Sequence, residues 1–203
     1  MLGKLFGRKS AESLPFITVV SGLPRSGTSM MMKMLHAGGI PPITDEIRRA
    51  DTDNPKGYYE FERVKKLDKG DTAWVPDAVG KSVKVITALL THLPKDYTYR
   101  VLIMRRDLDE VLASQAKMLE RRGEQQAVSD DKMKALFTKH LRQIEAWLQQ
   151  QPNVAWLDVN YGELVKDPQS QLVRINEFLG GNLDVAAMAA VADPQLHRNR
   201  ADA

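Results

Sequence analysis

The chain has 203 residues, of which 43% are apolar and 27% charged, as is typical of a globular protein with a single domain. Its 29 basic and 26 acidic residues leave a net charge of +3, which is too small to indicate DNA or RNA binding, so we expect no nucleic-acid partner. The lack of cysteine excludes disulfides and thiolate chemistry. The four histidines have no zinc-ligand spacing, so we expect no metal.

The ends of the chain carry few signals. We interpret residues 1–14 as a flexible tail and residues 15–200 as one domain. No apolar run approaches the ~18 residues that cross a bilayer, so we expect no integral membrane segment. Together with the cysteine-free composition, this predicts a cytoplasmic protein, of bacterial origin. The sequence does not indicate the oligomeric state.

The first predicted elements are a strand and a helix. The segment "LPFITVVSG" is a continuous apolar run between Pro15 and Gly22, which is typical of a buried strand in a parallel sheet. A helix is predicted to follow directly, from about Gly27 to Ala37. Residues 38–64, rich in Gly, Pro and charge, then predict a long ordered loop with one or two short helical turns.

The rest of the chain alternates between strands and helices. Strands are predicted at 82–87, 99–105 and 153–160. Helices are predicted after Asp107, a candidate N-cap, at about 132–150, and over "SQLVRINEFLG". The apolar stripe predicted for the helix at 132–150 comprises Leu136, Phe137, Leu141, Ile144 and Leu148. This alternation predicts an α/β fold, a three-layer sandwich with a central parallel sheet and helices on both faces.

The loop "GLPRSGTS" predicts an anion site. Gly22 and Gly27 have the spacing of a nucleotide-triphosphate loop, and such a loop aims backbone N–H groups and a helix N-terminus at one point. Thr28 stands where that loop has its lysine, and Arg25 lies inside the loop instead. Arginine suits two oxygens of a phosphate or sulfuryl group. Without the lysine and a second-strand acidic ligand, magnesium-dependent triphosphate hydrolysis is disfavoured.

The sequence "PRSGTS" resembles the 5′-phosphosulfate loop of sulfotransferases that use 3′-phosphoadenosine 5′-phosphosulfate (PAPS), in the branch with arginine in the loop. The resemblance extends from about Phe16 to Arg200 and implies a P-loop-type fold. In that family an arginine and a serine eight positions later hold the 3′-phosphate, and Arg106 and Ser114 have this spacing. It also implies a donor-binding loop of Pro24, Arg25, Ser26, Gly27, Thr28 and Ser29. A surface arginine and a helix-packing serine are the alternatives for the second pair.

The resemblance also suggests which residues carry out the reaction. Arg25 would neutralise the leaving group, and Glu46 lies about where the arginine-loop branch has its general base. Glu60, beside Tyr58, Tyr59 and Phe61, is the competing base, and Glu46 is equally well explained as an early-helix acid. In the C-terminal tail, the resemblance implies that Arg198 reaches the 3′-phosphate, with a disordered basic end as the alternative.

These residues predict a metal-free enzyme that transfers a sulfuryl group from PAPS to a hydroxyl. The acceptor is not named by the sequence, and a carbohydrate, a lipid head group, a phenol or a peptide fits the loop 38–64 equally well. Two rival hypotheses remain: a P-loop kinase of small molecules, and a non-catalytic module that binds phosphoadenosine phosphate.

Overall fold

The computed structural model describes residues 15–45, 58–124 and 127–192. At its centre is a four-stranded parallel sheet with the strand order β2-β1-β3-β4. The strands are β1 (Ile17–Gly22), β2 (Ser82–Lys84), β3 (Tyr99–Arg105) and β4 (Val154–Asn160). Because all four run in the same direction, their carboxyl ends lie along one edge of the sheet, where ligands bind in open α/β folds.

The described helices differ in length and in their start signals. The α-helices are α1 (Thr28–Ala37), α2 (Leu108–Arg121), α3 (Asp130–Leu148), α4 (Tyr161–Lys166), α5 (Pro168–Phe178) and α6 (Val185–Ala189). Three 3₁₀ helices span Glu62–Lys69, Val75–Ala78 and Thr87–His92. As predicted, Asp107 caps α2, because its side chain accepts hydrogen bonds from the N–H groups of Asp109 and Glu110.

Each face of the sheet is covered by its own layer. On one face, Val20 and Leu102 pack with side chains of α1, α4, α5 and α6. On the other face, Val19 and Val101 pack with α3 and the 3₁₀ helices. The alternation along β1 and β3 thus sends successive apolar side chains to opposite cores. The structure confirms the predicted α/β sandwich with a parallel sheet between two helical layers.

The predicted elements differ from the structure in three places. Strand β2 ends at Lys84 instead of Thr87, because the backbone leaves the ladder after Val85 and turns into a 3₁₀ helix. Leu136, assigned to the apolar stripe of α3, is 50% exposed, because α3 contacts the core through its C-terminal half, at Ile144 and Leu148. Helices α4 and α6 were not predicted, since six and five residues are too few to show a helical period.

None of the helices in the described ranges is both long and apolar enough to span a bilayer. The tail predicted at residues 1–14 lies outside the described residues, so the domain boundaries stay predictions.

Candidate functional site

The loop between β1 and α1 is shaped by two close contacts. Gly27 has a φ of 97°, and a Cβ at this position would lie 2.4 Å from the ring of Tyr161. A Cβ on Gly22 would lie 2.4 Å from Ser26 Oγ. A side chain at either position would therefore collide with its neighbour, which explains the spacing of the two glycines. Ser26 is buried, and both its N–H and its hydroxyl donate to the Leu23 carbonyl, which holds the turn closed.

The N-terminus of α1 opens directly onto this loop. Among the described residues, no side chain caps the helix, and its first turn contains no acidic residue. The first N–H groups of a helix have no intrahelical acceptor, and the helix dipole places positive charge at the same end. The local structure is therefore suited to an anion, with Thr28 and Ser29 as the first two helical residues.

Arg25 connects the loop to helix α2. Its Nε donates a hydrogen bond of 3.0 Å to Ser114 Oγ, across 89 positions of sequence. Its backbone carbonyl accepts a hydrogen bond of 3.0 Å from Arg106 Nη1. The loop and the pair Arg106 and Ser114 therefore meet in space, because Arg25 contacts both members of that pair. Arg25 has a φ of 69°, which is uncommon for a residue other than glycine and occurs often at functional sites.

Arg106 is held from three sides. Besides its contact with the Arg25 carbonyl, its Nε donates to Glu110 Oε2 at 2.9 Å, and its guanidinium lies 4.5 Å from the centre of the Tyr161 ring. The side chains of Arg106 and Glu110 are only 7% and 10% exposed. Arg106 is therefore a fixed cation, whose orientation is set before any ligand binds.

Lys84 brings an ammonium group to the loop from a neighbouring strand. It is the last residue of β2, and its side chain is 11% exposed. Its Nζ lies 3.3 Å from Ser29 Oγ and 3.5 Å from Glu60 Oε1, and it also donates to the Tyr58 carbonyl. A lysine thus contacts the start of α1 although none is present within the loop.

Glu60 lies between two ammonium groups. Lys84 contacts one of its carboxylate oxygens, and Lys65 Nζ lies 3.7 Å from the other. Its backbone carbonyl accepts a hydrogen bond from Thr44 Oγ1 at 2.9 Å, which ties Glu60 to the segment that follows α1. Glu60 is therefore a largely buried, positioned carboxylate at the carboxyl edge of the sheet.

Two further titratable groups near this edge have perturbed pKa values. Burial raises the pKa of Tyr59, which has a φ of 51° and packs edge-on against His36. Burial also lowers the pKa of His140, whose Nε2 lies 2.8 Å from Thr87 Oγ1. Both rings are consequently neutral in the folded protein near pH 7.

The structure brings most of the predicted site residues together. Arg25, Thr28, Ser29, Arg106 and Ser114 lie around the loop and its contacts. Pro24 is exposed, whereas Ser26 is buried and donates its hydroxyl hydrogen to the Leu23 carbonyl. Glu46 and Arg198 lie outside the described residues, so their roles stay predictions. No group of three or more His, Asp or Glu side chains that could hold a metal occurs in the described ranges.

Three residues of the site were not predicted from the sequence. Lys84 follows Ser82 and Val83 in a mostly buried strand, and a charged residue at the carboxyl end of such a strand was the available signal. Glu110, four positions after Arg106 on the same helix, had the spacing of an ion pair. Tyr161 follows strand β4 directly, but its contact with Gly27 depends on the tertiary structure.

Comparison with known proteins gives a family for this arrangement. A family model described as "Sulfotransferase domain" matches residues 17–198. No curated protein sequence matches the chain significantly.

Solved structures show the same fold at low sequence identity. A sulfotransferase domain from the curacin biosynthetic pathway is 20% identical, with a TM-score of 0.50, over 94% of this chain and 89% of that one. Sulfotransferase STF1 from Mycobacterium tuberculosis H37Rv is 16% identical, with a TM-score of 0.53, over 87% and 70%. Since the family model covers the sheet, the loop and both signatures, the chain belongs to the sulfotransferase domain family.

Proposed function

We propose that this sulfotransferase uses PAPS as its donor and transfers the sulfuryl group to a hydroxyl. The family uses PAPS, which supplies an activated sulfuryl group when bound. The observation that carries the proposal for this chain is the approach of Lys84 Nζ to both Ser29 Oγ and Glu60 Oε1, at 3.3 and 3.5 Å. A cation for a leaving group and a carboxylate for an acceptor proton thereby lie next to the anion-binding loop.

The donor set fits a nucleotide that carries anionic groups at both ends. At the 5′ end, the N-terminus of α1, the side chains of Thr28 and Ser29, and the cations Arg25 and Lys84 would bind the phosphosulfate. The backbone of residues 24–27 shapes this part of the site. At the 3′ end, Arg106 and Ser114 would bind the phosphate, with Arg106 already oriented by Glu110.

Transfer then requires a proton acceptor and a stabilised leaving group. Glu60 would accept the proton of the attacking hydroxyl as its oxygen forms a bond to sulfur. Lys84 and Arg25 would neutralise the 5′-phosphate oxygen, which keeps the electron pair when its bond to sulfur breaks. The products are a sulfate ester of the acceptor, 3′,5′-phosphoadenosine phosphate and the proton on Glu60. Glu46 remains the alternative base, and Arg198 a further proposed contact to the 3′-phosphate.

A phenol, a sugar, a lipid head group or a peptide provides the required hydroxyl, and a bacterial cytoplasm remains our prediction from the composition alone.

The test is transfer of radiolabelled sulfur from PAPS to 2-naphthol, N-acetylglucosamine, a tyrosine peptide or water. Replacing one donor that stabilises a leaving oxygen costs about 10²–10³ in kcat, so we expect a loss of this size in Lys84→Ala. We expect a loss of about 10²–10⁴ in Glu60→Gln. The matched control is Lys81→Ala, because Lys81 precedes β2 at the opposite edge of the sheet. Transfer that is unchanged in both site variants would exclude this assignment.

A further inference from the structure

The hydrogen bond between Arg25 and Ser114 joins residues that the proposed function assigns to opposite ends of the nucleotide. Arg25 lies in the loop that is proposed to bind the 5′ group. Ser114 lies on helix α2 and is proposed to bind the 3′-phosphate. Ser114 is 4% exposed, and the 3.0 Å contact from Arg25 Nε approaches it from the loop side. The backbone carbonyl of Arg25 also accepts from Arg106, so Arg25 touches both predicted ligands of the 3′-phosphate.

This contact determines what the serine hydroxyl can do. A serine hydroxyl offers one donor and two acceptor positions, and Arg25 Nε–H occupies one of the acceptor positions. Serines within helices commonly donate back to a carbonyl of the preceding turn. No carbonyl in the described part of the chain accepts from Ser114. Its hydrogen is therefore available to a ligand, and the charged donor behind the oxygen makes it a better donor.

We propose that Arg25 is a positioning residue for the 3′-phosphate, acting through Ser114, in addition to its role at the phosphosulfate. This inference rests on the proposed function. Arg25 holds the serine hydroxyl so that its hydrogen points at a phosphate oxygen, and its carbonyl fixes the guanidinium of Arg106. The positive φ of Arg25 fits this role, because the surrounding contacts hold the residue in a conformation that it would otherwise avoid.

The proposal predicts coupling between two residues that would otherwise act independently. If Arg25 served only the 5′ group, its removal would leave the binding of adenosine 3′-phosphate unchanged. If Arg25 acts through Ser114, removal of either side chain weakens the binding of adenosine 3′-phosphate. Removal of both then lowers the affinity little further than removal of one.

The experiment is calorimetric titration of adenosine 3′-phosphate, and of adenosine as its matched control, into wild type, Arg25→Asn, Ser114→Ala and the double variant. Asparagine tolerates a positive φ and is too short to reach Ser114. Arg25→Gly serves as a second variant that relieves the backbone strain. A hydrogen bond to a charged group corresponds to a loss of at least about tenfold in affinity.

We expect each single variant to bind adenosine 3′-phosphate about tenfold more weakly than wild type, and the double variant to lose about the same factor. An affinity within about twofold of wild type in both Arg25 variants would overturn the inference, as would losses that multiply to about a hundredfold in the double variant. If wild type binds adenosine 3′-phosphate no better than adenosine, the nucleotide site itself is misassigned and the proposed function fails with it.

Discussion

The pair formed by Arg106 and Glu110 allows folding and nucleotide binding to be separated. Both side chains are about nine-tenths buried, so Arg106→Met would leave the Glu110 carboxylate buried without this partner. Breaking a buried ion pair from one side costs about 3–5 kcal/mol in the free energy of unfolding. For a domain of this size, the loss corresponds to a decrease of roughly 6–20 °C in Tm.

A second substitution then repairs the fold without restoring the site. In Arg106→Met/Glu110→Gln the buried carboxylate charge is removed as well, and neutral replacements of a buried pair are often as stable as the pair itself. We expect most of the lost Tm to return. Binding of 3′,5′-phosphoadenosine phosphate stays weakened by about 10–150-fold, because a hydrogen bond to a charged group contributes about 1.5–3 kcal/mol.

The assay combines thermal unfolding with calorimetric titration of the double variant. Adenosine 5′-phosphate, which lacks the 3′-phosphate, is the matched ligand, and we expect its Kd to change by less than about threefold. If the double variant binds both nucleotides like wild type, Arg106 does not contact the 3′-phosphate. If it loses both equally, Arg106 supports the whole site and the assignment to one phosphate is refuted.

Two further predictions concern the loop and the pH dependence of stability. Gly27 and Gly39 both have a positive φ, so an alanine at either position costs about 1–2 kcal/mol in the free energy of unfolding. Only the Cβ at position 27 also meets Tyr161, so Gly27→Ala should lower Tm by more than Gly39→Ala. Equal losses of Tm would contradict this. Because burial lowers the pKa of His140, the unfolded chain binds its proton more readily, and stability falls as pH drops below about 6.5. Tm should therefore fall less between pH 7 and pH 5 in His140→Gln than in wild type, with the exposed His92→Gln as control.

The sequence was sufficient for the elements whose signals are local. Strand β3 begins and ends at the predicted residues, because a continuous apolar run between polar positions defines a buried strand. The Asp107 cap likewise depends only on neighbouring backbone groups. Strand β2 was predicted three residues too long, since the apolar run continues past the point at which the backbone leaves the ladder. The local sequence pattern does not show where the backbone leaves the sheet.

The site was predictable as two separate signatures but not as an assembled whole. The loop around Arg25 and the pair Arg106 and Ser114 were each recognisable from residue types and spacing. The hydrogen bond that joins them spans 89 positions, and the contact of Lys84 with Ser29 spans 55. Such contacts follow from the order of strands in the sheet, which the sequence predicted only as a parallel arrangement.

The measurement that tests the central claim most directly is the Tm of the wild-type protein with 3′,5′-phosphoadenosine phosphate, compared with ADP and with Mg-ATP. Ligand at ~100 times its Kd contributes about 2.7 kcal/mol, which raises the Tm of a domain of this size by roughly 5–10 °C. A rise of this size with the 3′-phosphorylated nucleotide alone is the predicted result. A rise with Mg-ATP and none with the 3′-phosphorylated nucleotide would contradict the account and favour a kinase.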